Sequence, residues 1–292
     1  MKIPTLADVY RARARIRPHL QPTPLHTYPS LSALVGTELW VKHENHQPIG
    51  AFKVRGGINL ISQLTDAERD NGVVAASTGN HGQSIAYAAR LFGVKATICV
   101  PEVANEAKIE SIRALGAEVS HHGENFAASC RHAERLRDER GYRFVHSGNE
   151  PLLIAGVATE TLEILESRPD IDVLIVPIGG GSGVAGAIVA GKAIKPELEI
   201  IGVQAEAAPA VYRSWKERAL VTAEMNTAAE GLATSEPFEL PLEIMWGGLD
   251  DFVLVSEEEL RAATRHMIEK TRNLVEAAGA AAFAAALKLR DR

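Results

Sequence analysis

The chain has 292 residues, of which 46% are hydrophobic, and this composition is typical of a globular protein with a large core. Its net charge of −6 and the lack of a basic stripe interleaved with aromatics argue against a nucleic-acid partner. No apolar run reaches the roughly eighteen residues of a membrane span, so we expect a soluble, cytoplasmic protein. The two cysteines, Cys99 and Cys130, form no CxxC pair and are expected to be reduced and buried.

Short β-branched runs alternate with helical patterns along most of the chain. These runs lie at residues 39–42, 73–76, 97–100, 144–146, 173–176 and 200–203. Strands separated by helices of roughly 10 to 15 residues predict βαβ units, and therefore an α/β fold with mainly parallel sheets. Near the other end, Ser256 followed by Glu259 predicts a capping box at the start of a helix.

The first segment with chemical content is residues 50–57, Gly-Ala-Phe-Lys-Val-Arg-Gly-Gly. Lys53 stands there between the aromatic Phe52 and small residues. A partly apolar setting disfavours the charged amine and raises the neutral fraction that can attack a carbonyl carbon. Taken alone, an exposed lysine at the start of a helix is the commoner explanation of such a segment. Arg55 is expected to be a structural ion-pair partner.

The second segment is residues 77–83, Ser-Thr-Gly-Asn-His-Gly-Gln, between a predicted strand and a predicted helix. Hydroxyls, a side-chain amide and the free backbone amides of a helix start are suited to binding a carboxylate. The simpler alternative is helix capping, which Ser77, Thr78 or Asn80 could provide without any ligand.

The third segment is residues 179–183, Gly-Gly-Gly-Ser-Gly, after an apolar run and before another helical pattern. A bare-backbone turn of this kind places unpaired amides at the positive end of a helix, where an anion binds well. A tight packing turn is one alternative. Another is a dinucleotide site, because Gly181-x-Gly183-x-x-Gly186 matches that fingerprint literally.

The three segments, in this order, resemble those of the fold-type II pyridoxal-phosphate enzymes, in particular the threonine/serine dehydratase and serine racemase family. The resemblance runs from Pro22-Thr23-Pro24-Leu25 to Leu274-Val275-Glu276. It implies a tryptophan synthase β-like fold with two lobes, each with a mainly parallel sheet flanked by helices. The small lobe would be residues 72–149 and the large lobe residues 1–71 and 150–292, with pyridoxal 5'-phosphate in the cleft between them. A homodimer is the habit of this family.

The resemblance also implies a role for each matching residue. Lys53 would hold the cofactor as a Schiff base and, once freed, act as the base, while Phe52 and Gly231 would lie beside the ring. Asn80 would contact the phenolic oxygen of the cofactor. The phosphate would be bound by Gly179, Gly180, Gly181, Ser182 and Gly183. The substrate carboxylate would be bound by Ser77, Thr78, Gly79 and His81.

For the reaction, the resemblance implies elimination from a β-hydroxy amino acid of the L-threonine or L-serine type, giving a 2-oxo acid and ammonia. Racemisation of serine or aspartate stays open, because Thr78 offers a hydroxyl at the position where the resembled racemases have a serine that acts as the second acid. Dehydration of another substrate, such as a hydroxyaspartate or a hydroxyectoine-derived amino acid, also stays open. The dinucleotide-binding alternative predicts no dependence on Lys53.

Two departures from the family pattern bear on these expectations. Gln204, Ala208 and Ala210 stand where many racemase-like members have acidic ligands, so no divalent metal site is expected. After Thr271 the sequence has no Ser, Thr or Cys, whereas family members continue into a strand and a turn whose hydroxyl contacts the pyridine nitrogen. We therefore expect that contact to come from elsewhere, or the usual C-terminal strand to be missing. A non-catalytic relative, which would bind the cofactor without turnover, is the corresponding alternative.

Overall fold

A computed structural model describes residues 1–104 and 106–292. Helices and strands are numbered here in chain order. The helices of the described residues are α1 Leu6–Ile16, α2 Pro29–Val35, α3 Lys53–Ile61, α4 Asp66–Asn71, α5 Asn80–Leu91, α6 Glu106–Ala114, α7 Phe126–Arg140, α8 Pro151–Val157, α9 Thr159–Ser167, α10 Ser182–Ile194, α11 Ala210–Glu217, α12 Glu239–Gly248, α13 Glu257–Thr271 and α14 Ala277–Leu289. The strands are β1 Leu25–Thr27, β2 Trp40–Lys42, β3 Val73–Ala76, β4 Ala96–Val100, β5 Glu118–His121, β6 Arg143–Phe144, β7 Val173–Pro177, β8 Glu199–Ala205 and β9 Asp251–Val255. None of these helices is long and apolar enough to cross a membrane.

The strands form two parallel sheets and one antiparallel pair. The first sheet has the order β5-β4-β3-β6, and the second has the order β7-β8-β9. The pair β1-β2 is antiparallel. Helices follow most strands, so the chain is an α/β protein with mainly parallel sheets, as the alternating pattern predicts.

Each parallel sheet packs against helices through an apolar core. Beside the first sheet, Ile58 of α3, Ile85 of α5 and Ile98 of β4 belong to one cluster, and all three are fully buried. Beside the second sheet, Val184 of α10 and Ile200 of β8 belong to another. These cores fix the helices that follow β3 and β7, and both helices begin at the carboxyl ends of their strands, where α/β proteins bind ligands.

Most predicted strands are present within a residue or two of their expected bounds, and β3 spans residues 73–76 as predicted. The capping box is confirmed: the Ser256 hydroxyl accepts a hydrogen bond from the amide of Glu259, whose carboxylate accepts one from the amide of Ser256. The sequence pattern does not predict β1, β5 or β9. Of these, β1 and β5 are short and largely solvent-facing, so they lack the continuous apolar run by which buried strands are recognised.

Helix α3 lies very close to α5. A Cβ atom added to Gly57 would lie 2.4 Å from Oγ of Ser84, so only glycine fits at this contact. The Ser84 hydroxyl also donates a hydrogen bond of 2.7 Å to the carbonyl oxygen of Lys53. The glycines that follow Lys53 therefore serve helix packing, which ties the position of Lys53 to the start of α5.

Candidate active site

Lys53 is the first residue of α3, and its side chain is directed at the segment between β7 and α10. Its Nζ donates a hydrogen bond of 2.6 Å to Oγ of Ser182. The Phe52 ring lies beside the amine, with its centroid 5.3 Å from Nζ. Ser182 is 2% exposed and is the first residue of α10. This bond joins the lysine segment to the glycine segment, although the two residues are 129 positions apart in the chain.

The surroundings of Lys53 change its acid–base behaviour. Removal of the amine from water lowers the pKa of Lys53 from its ordinary value to about 8. Roughly a tenth of the molecules therefore carry the neutral amine at pH 7, far more than for a solvated lysine. This is the electrostatic property that a lysine nucleophile or base requires.

The turn of residues 179–183, called here the glycine loop, leaves no space for side chains at its first two positions. A Cβ atom on Gly179 would lie 2.2 Å from the carbonyl oxygen of Gly231, and one on Gly180 would lie 2.3 Å from the ring of Phe238. Gly183, at the other end of the loop, faces the Phe52 ring. The loop therefore presents bare backbone to the cleft.

The backbone amides of the glycine loop are hydrogen-bond donors that a ligand could use. Within residues 1–104 and 106–292, no group accepts a hydrogen bond from the backbone nitrogens of residues 179–183. The loop also lies at the N-terminus of α10, a 13-residue helix whose dipole favours negative charge there. Free amides, a positive helix end and the Ser182 hydroxyl form a donor set suited to a phosphate.

The second turn of the site, residues 77–81, is called here the asparagine loop and joins β3 to α5. The Ser77 hydroxyl accepts a hydrogen bond of 3.1 Å from the amide of Gly79, so its own proton remains available to donate. Gly79 is the N-cap of α5, and apart from its chain neighbours no atom of the described residues lies within 4 Å of the position that its Cβ would occupy. Asn80 donates a hydrogen bond of 2.8 Å from Nδ2 to Oε1 of Glu276.

His81 is 6% exposed and is held neutral. Burial, together with the nearby Lys53 and His146, lowers the pKa of His81 to about 3. Its Nε2 lies 3.3 Å from the carbonyl oxygen of Val145, so Nε2 carries the proton and donates to that oxygen. His81 is therefore a buried, neutral imidazole and offers no positive charge to a substrate carboxylate.

One continuous cleft of about 2020 Å³ brings the predicted site residues together. It also extends along β2 and β7. All the predicted site residues line it: Phe52, Lys53, Ser77, Thr78, Gly79, Asn80, His81, Gly179, Gly180, Gly181, Ser182, Gly183 and Gly231.

Some residues of this site could not be found from the sequence. The Phe238 ring covers Gly180 and makes an edge-to-face contact with His146 at 4.7 Å. Phe238 stands in a segment without a recognisable motif, so nothing in the sequence indicates it. Glu276 is recognisable only as the end of the resembling region, and its contact with Asn80 depends on the tertiary fold.

Arg55 is an ion-pair partner, as predicted. It is 1% exposed and bonds Glu44 at 2.7 Å and Glu163 at 2.6 Å. Desolvation favours the neutral guanidine, but these two carboxylates outweigh it and raise the pKa of Arg55. The network anchors α3 two residues beyond Lys53. No group of three or more His, Cys, Asp or Glu side chains among the described residues could hold a metal ion.

Comparison with known proteins agrees with this geometry. Residues 16–292 match the family model described as pyridoxal-phosphate dependent enzyme. The L-threonine ammonia-lyase of Thermotoga maritima is 40% identical over 98% of this chain and 72% of its own length. The structure of maize serine racemase superposes with a TM-score of 0.96 at 32% identity, over 100% of this chain and 89% of that one. The crystal structure of T.th. threonine deaminase gives a TM-score of 0.92 at 36% identity, over 98% and 93% of the two chains.

The chain therefore belongs to the pyridoxal-phosphate-dependent enzymes, and its fold is that of fold type II. Within that class it is a member of the threonine/serine dehydratase and serine racemase family, as the three segments predict. Its cofactor is pyridoxal 5'-phosphate. The residues present fit this group, because the glycine loop offers a phosphate five amides that have no partner among the described residues, beside a lysine of lowered pKa. Gly186, the last glycine of the dinucleotide fingerprint, lies within α10 and serves close packing, because a Cβ atom there would lie 2.9 Å from the backbone nitrogen of Ala158.

Proposed function

We propose that this protein is a pyridoxal-phosphate-dependent ammonia-lyase that converts L-threonine or L-serine into a 2-oxo acid and ammonia. The observation that carries the proposal is the bond between Lys53 Nζ and Ser182 of the glycine loop, in the cleft that the asparagine loop also lines. The threonine ammonia-lyase and threonine deaminase relatives support elimination as the reaction. In the net reaction the β-hydroxyl leaves as water, and a second water later releases the nitrogen as ammonia.

The cofactor would be held at four places by residues already described. Lys53 is the covalent attachment point, and the amides of residues 179–183 with the Ser182 hydroxyl bind the phosphate. Asn80 contacts the ring oxygen, while Phe52 and Gly231 border the ring. When bound, pyridoxal phosphate supplies a conjugated ring that stabilises negative charge at the α-carbon of an amino acid.

The chain itself supplies the base and the orientation of the substrate. Lys53, once released by the incoming amino group, takes the α-proton on Nζ, and its pKa of about 8 keeps a useful neutral fraction at physiological pH. Ser77, Thr78 and Gly79 bind the substrate carboxylate through hydroxyls and amides at the start of α5. His81, neutral and bonded to Val145, adds no positive charge to this loop.

Racemisation is the second candidate, and two observations favour it. The maize serine racemase structure is very similar to this one. In addition, no described group hydrogen-bonds the Thr78 hydroxyl, which lines the cleft and could deliver a proton to the α-carbon. The threonine ammonia-lyase relative is more similar in sequence, at 40% against 32% identity, and elimination is therefore preferred.

Three further features belong to the proposal. Residues 72–149 form a small lobe, and residues 1–71 and 150–292 form a large one; the four-stranded sheet lies wholly within the first range, which supports this division. The protein is a homodimer, which sedimentation would test. It acts in the cytoplasm, in keeping with its free cysteines, Cys99 and Cys130.

The test is a cofactor titration followed by an assay with L-threonine and L-serine, for the wild type, Lys53→Ala and the exposed-lysine control Lys95→Ala. The wild type and the control should show a visible absorbance band from bound cofactor and release 2-oxo acid and ammonia in equal amounts. Lys53→Ala should lose the band and at least about a thousandfold in kcat, because it removes both the attachment point and the base. Release of D-amino acid without 2-oxo acid would favour racemisation, and a wild type without a cofactor band would refute the proposal.

A further inference from the structure

The segment between α13 and α14 is fixed to the loop that precedes Lys53. The side-chain nitrogen of Asn45 donates a hydrogen bond of 3.0 Å to the carbonyl oxygen of Leu274. Next to it, Nε2 of His46 lies 2.6 Å from Oδ1 of Asn273. These two bonds hold the segment beside the cleft, although its residues belong to a different part of the chain. Glu276 is the last residue of this segment, so the two bonds also hold its backbone in place.

Glu276 occupies the N-cap position of α14 but does not cap that helix. Its backbone has the extended geometry of an N-cap, yet its side chain makes no hydrogen bond to the first turn. The carboxylate reaches across the cleft instead, and Oε1 accepts the bond of 2.8 Å from Nδ2 of Asn80. The same oxygen lies 3.8 Å from the position that a Cβ atom of Gly231 would occupy. A carboxylate that leaves its own helix uncapped is thus placed between Asn80 and Gly231.

The contact fixes the orientation of the Asn80 side chain. An ionised carboxylate only accepts hydrogen bonds, so the nitrogen of the carboxamide, and not its oxygen, must face Glu276. Because the carboxamide is planar, the direction of its second N–H is then set as well. An asparagine without this partner could rotate its side chain and exchange the two ends of the amide. Glu276 removes that freedom.

We infer that Glu276 is a positioning residue for Asn80: its carboxylate orders the Asn80 carboxamide, so that a free N–H of fixed direction is ready for the ring oxygen of pyridoxal phosphate. The inference rests on the proposed function, in which Asn80 contacts that oxygen. Glu276 acts through Asn80 and is not itself an acid or a base of the reaction. Since the bond lowers the freedom of Asn80 before the cofactor arrives, it should strengthen cofactor binding.

A second polar contact between the same regions of the molecule offers a matched control. Lys108 of α6 forms a salt bridge with Glu230, the neighbour of Gly231. This pair also joins the part of the chain around the four-stranded sheet to residues beyond the glycine loop. This salt bridge involves neither Asn80 nor Glu276. Glu230→Gln therefore removes a bridging carboxylate without changing the partner of Asn80.

The experiment is a double-mutant cycle on the dissociation constant of pyridoxal phosphate, measured by absorbance titration of the apo-protein. The variants are Glu276→Ala, Glu276→Gln, Asn80→Ala and the double variant Asn80→Ala/Glu276→Ala. Glu276→Ala should weaken binding about fivefold in the wild-type background, as for a partly exposed charged hydrogen bond. With Asn80 already replaced by alanine, the same change should alter binding less than about twofold. Glu276→Gln keeps an acceptor oxygen and should recover most of the affinity.

A second readout is the position of the visible band, which Asn80 influences through the ring oxygen. Glu276→Ala and Asn80→Ala should shift the band in the same direction, whereas Glu230→Gln should leave it in place. An equal loss of affinity from Glu276→Ala in both backgrounds would show a purely structural role and overturn the inference. So would an unchanged dissociation constant in Glu276→Ala when the wild type binds cofactor normally. A wild type with no cofactor band would instead overturn the proposed function, so the two failures are distinguishable.

Discussion

The glycine loop and the asparagine loop occupy equivalent places in the two parallel sheets but are built differently. Each follows the carboxyl end of a strand, β7 or β3, and leads directly into a helix, α10 or α5. In the glycine loop, Gly231 and Phe238 pack against the backbone of Gly179 and Gly180. The loop therefore offers main-chain amides and one hydroxyl to the cleft. In the asparagine loop, a Cβ atom on Gly79 would meet none of the residues that the structure describes, and the neighbouring residues carry hydroxyl, amide and imidazole groups.

This difference separates a fixed binding task from an adjustable one. A phosphate is the same in every turnover, and amides at a helix N-terminus bind it with little ordering of side chains. A substrate enters and leaves, and selection among amino acids requires side chains of particular shape and hydrogen-bonding capacity. The geometry therefore favours the glycine loop as the permanent part of the site and the asparagine loop as the part where specificity resides.

Replacing a glycine by alanine in each loop should give the largest difference in stability and cofactor binding between the two. Gly179→Ala would place a methyl group 2.2 Å from the Gly231 oxygen, and the backbone must shift to admit it. We expect a loss of about 1 to 3 kcal/mol in the free energy of unfolding and at least about a hundredfold weaker cofactor binding. Gly79→Ala meets no atom of the described residues within 4 Å, so it should unfold like the wild type and bind cofactor normally. Its effect should be a raised KM for the amino acid.

Chemical denaturation and cofactor titration of the two variants measure this contrast directly. If both alanines weakened cofactor binding to the same degree, the division of tasks between the loops would be wrong. If neither did so, the close packing of the glycine loop would have no functional consequence.

The next largest effect concerns His81, which has no counterpart in the glycine loop. Its pKa is about 3 in the folded protein and about 6.5 in the unfolded chain. Between these values the unfolded chain binds the extra proton, so the stability that His81 provides is complete above pH 6.5 and is lost as the pH falls towards 3. Relative to pH 7, the loss at pH 5 should be about 2 kcal/mol.

Urea denaturation at pH 7 and pH 5 tests this, with His81→Gln as the non-titrating variant and the exposed His121→Gln as the control. The pH dependence should flatten in His81→Gln and stay like that of the wild type in His121→Gln. Parallel curves for the wild type and His81→Gln would contradict the buried, neutral state of this imidazole.

How much of this site the sequence could predict depends on how locally each residue acts. Lys53, the asparagine loop and the glycine loop are contiguous segments whose functions follow from backbone amides and from side chains a few positions apart. The strands β3 and β7 that carry the loops are apolar runs of four and five residues, a sequence pattern typical of buried parallel strands; β3 is fully buried and β7 is only partly buried. Family, fold and cofactor could therefore be predicted, and the comparisons confirm them.

The remainder depends on contacts between distant segments, which no local pattern encodes. Phe238 covers Gly180 from a region without a motif, and Glu276 reaches Asn80 from the start of the last helix. The prediction that His81 binds the substrate carboxylate rests on its place in the motif alone. The structure shows that its Nε2 is already bonded to Val145, and this could be learned only from the packing of α5 against the residues after β6. The roles of the site residues in binding cofactor and substrate, that of His81 included, stay predictions.

The smallest expected effect is at Ser182, the one side chain with which the glycine loop contacts Lys53. The Ser182 hydroxyl accepts the bond from Nζ, and an acceptor favours the charged form of the amine. Ser182→Ala should therefore lower the pKa of Lys53 further below about 8, by less than about one pH unit for the loss of one hydrogen bond. The rate at which apo-protein captures pyridoxal phosphate, followed against pH, should have its midpoint near 8 in the wild type and slightly lower in the variant. A midpoint that moves upward would mean that Ser182 opposes the charged amine, and the glycine loop would then influence the base through desolvation and not through this bond.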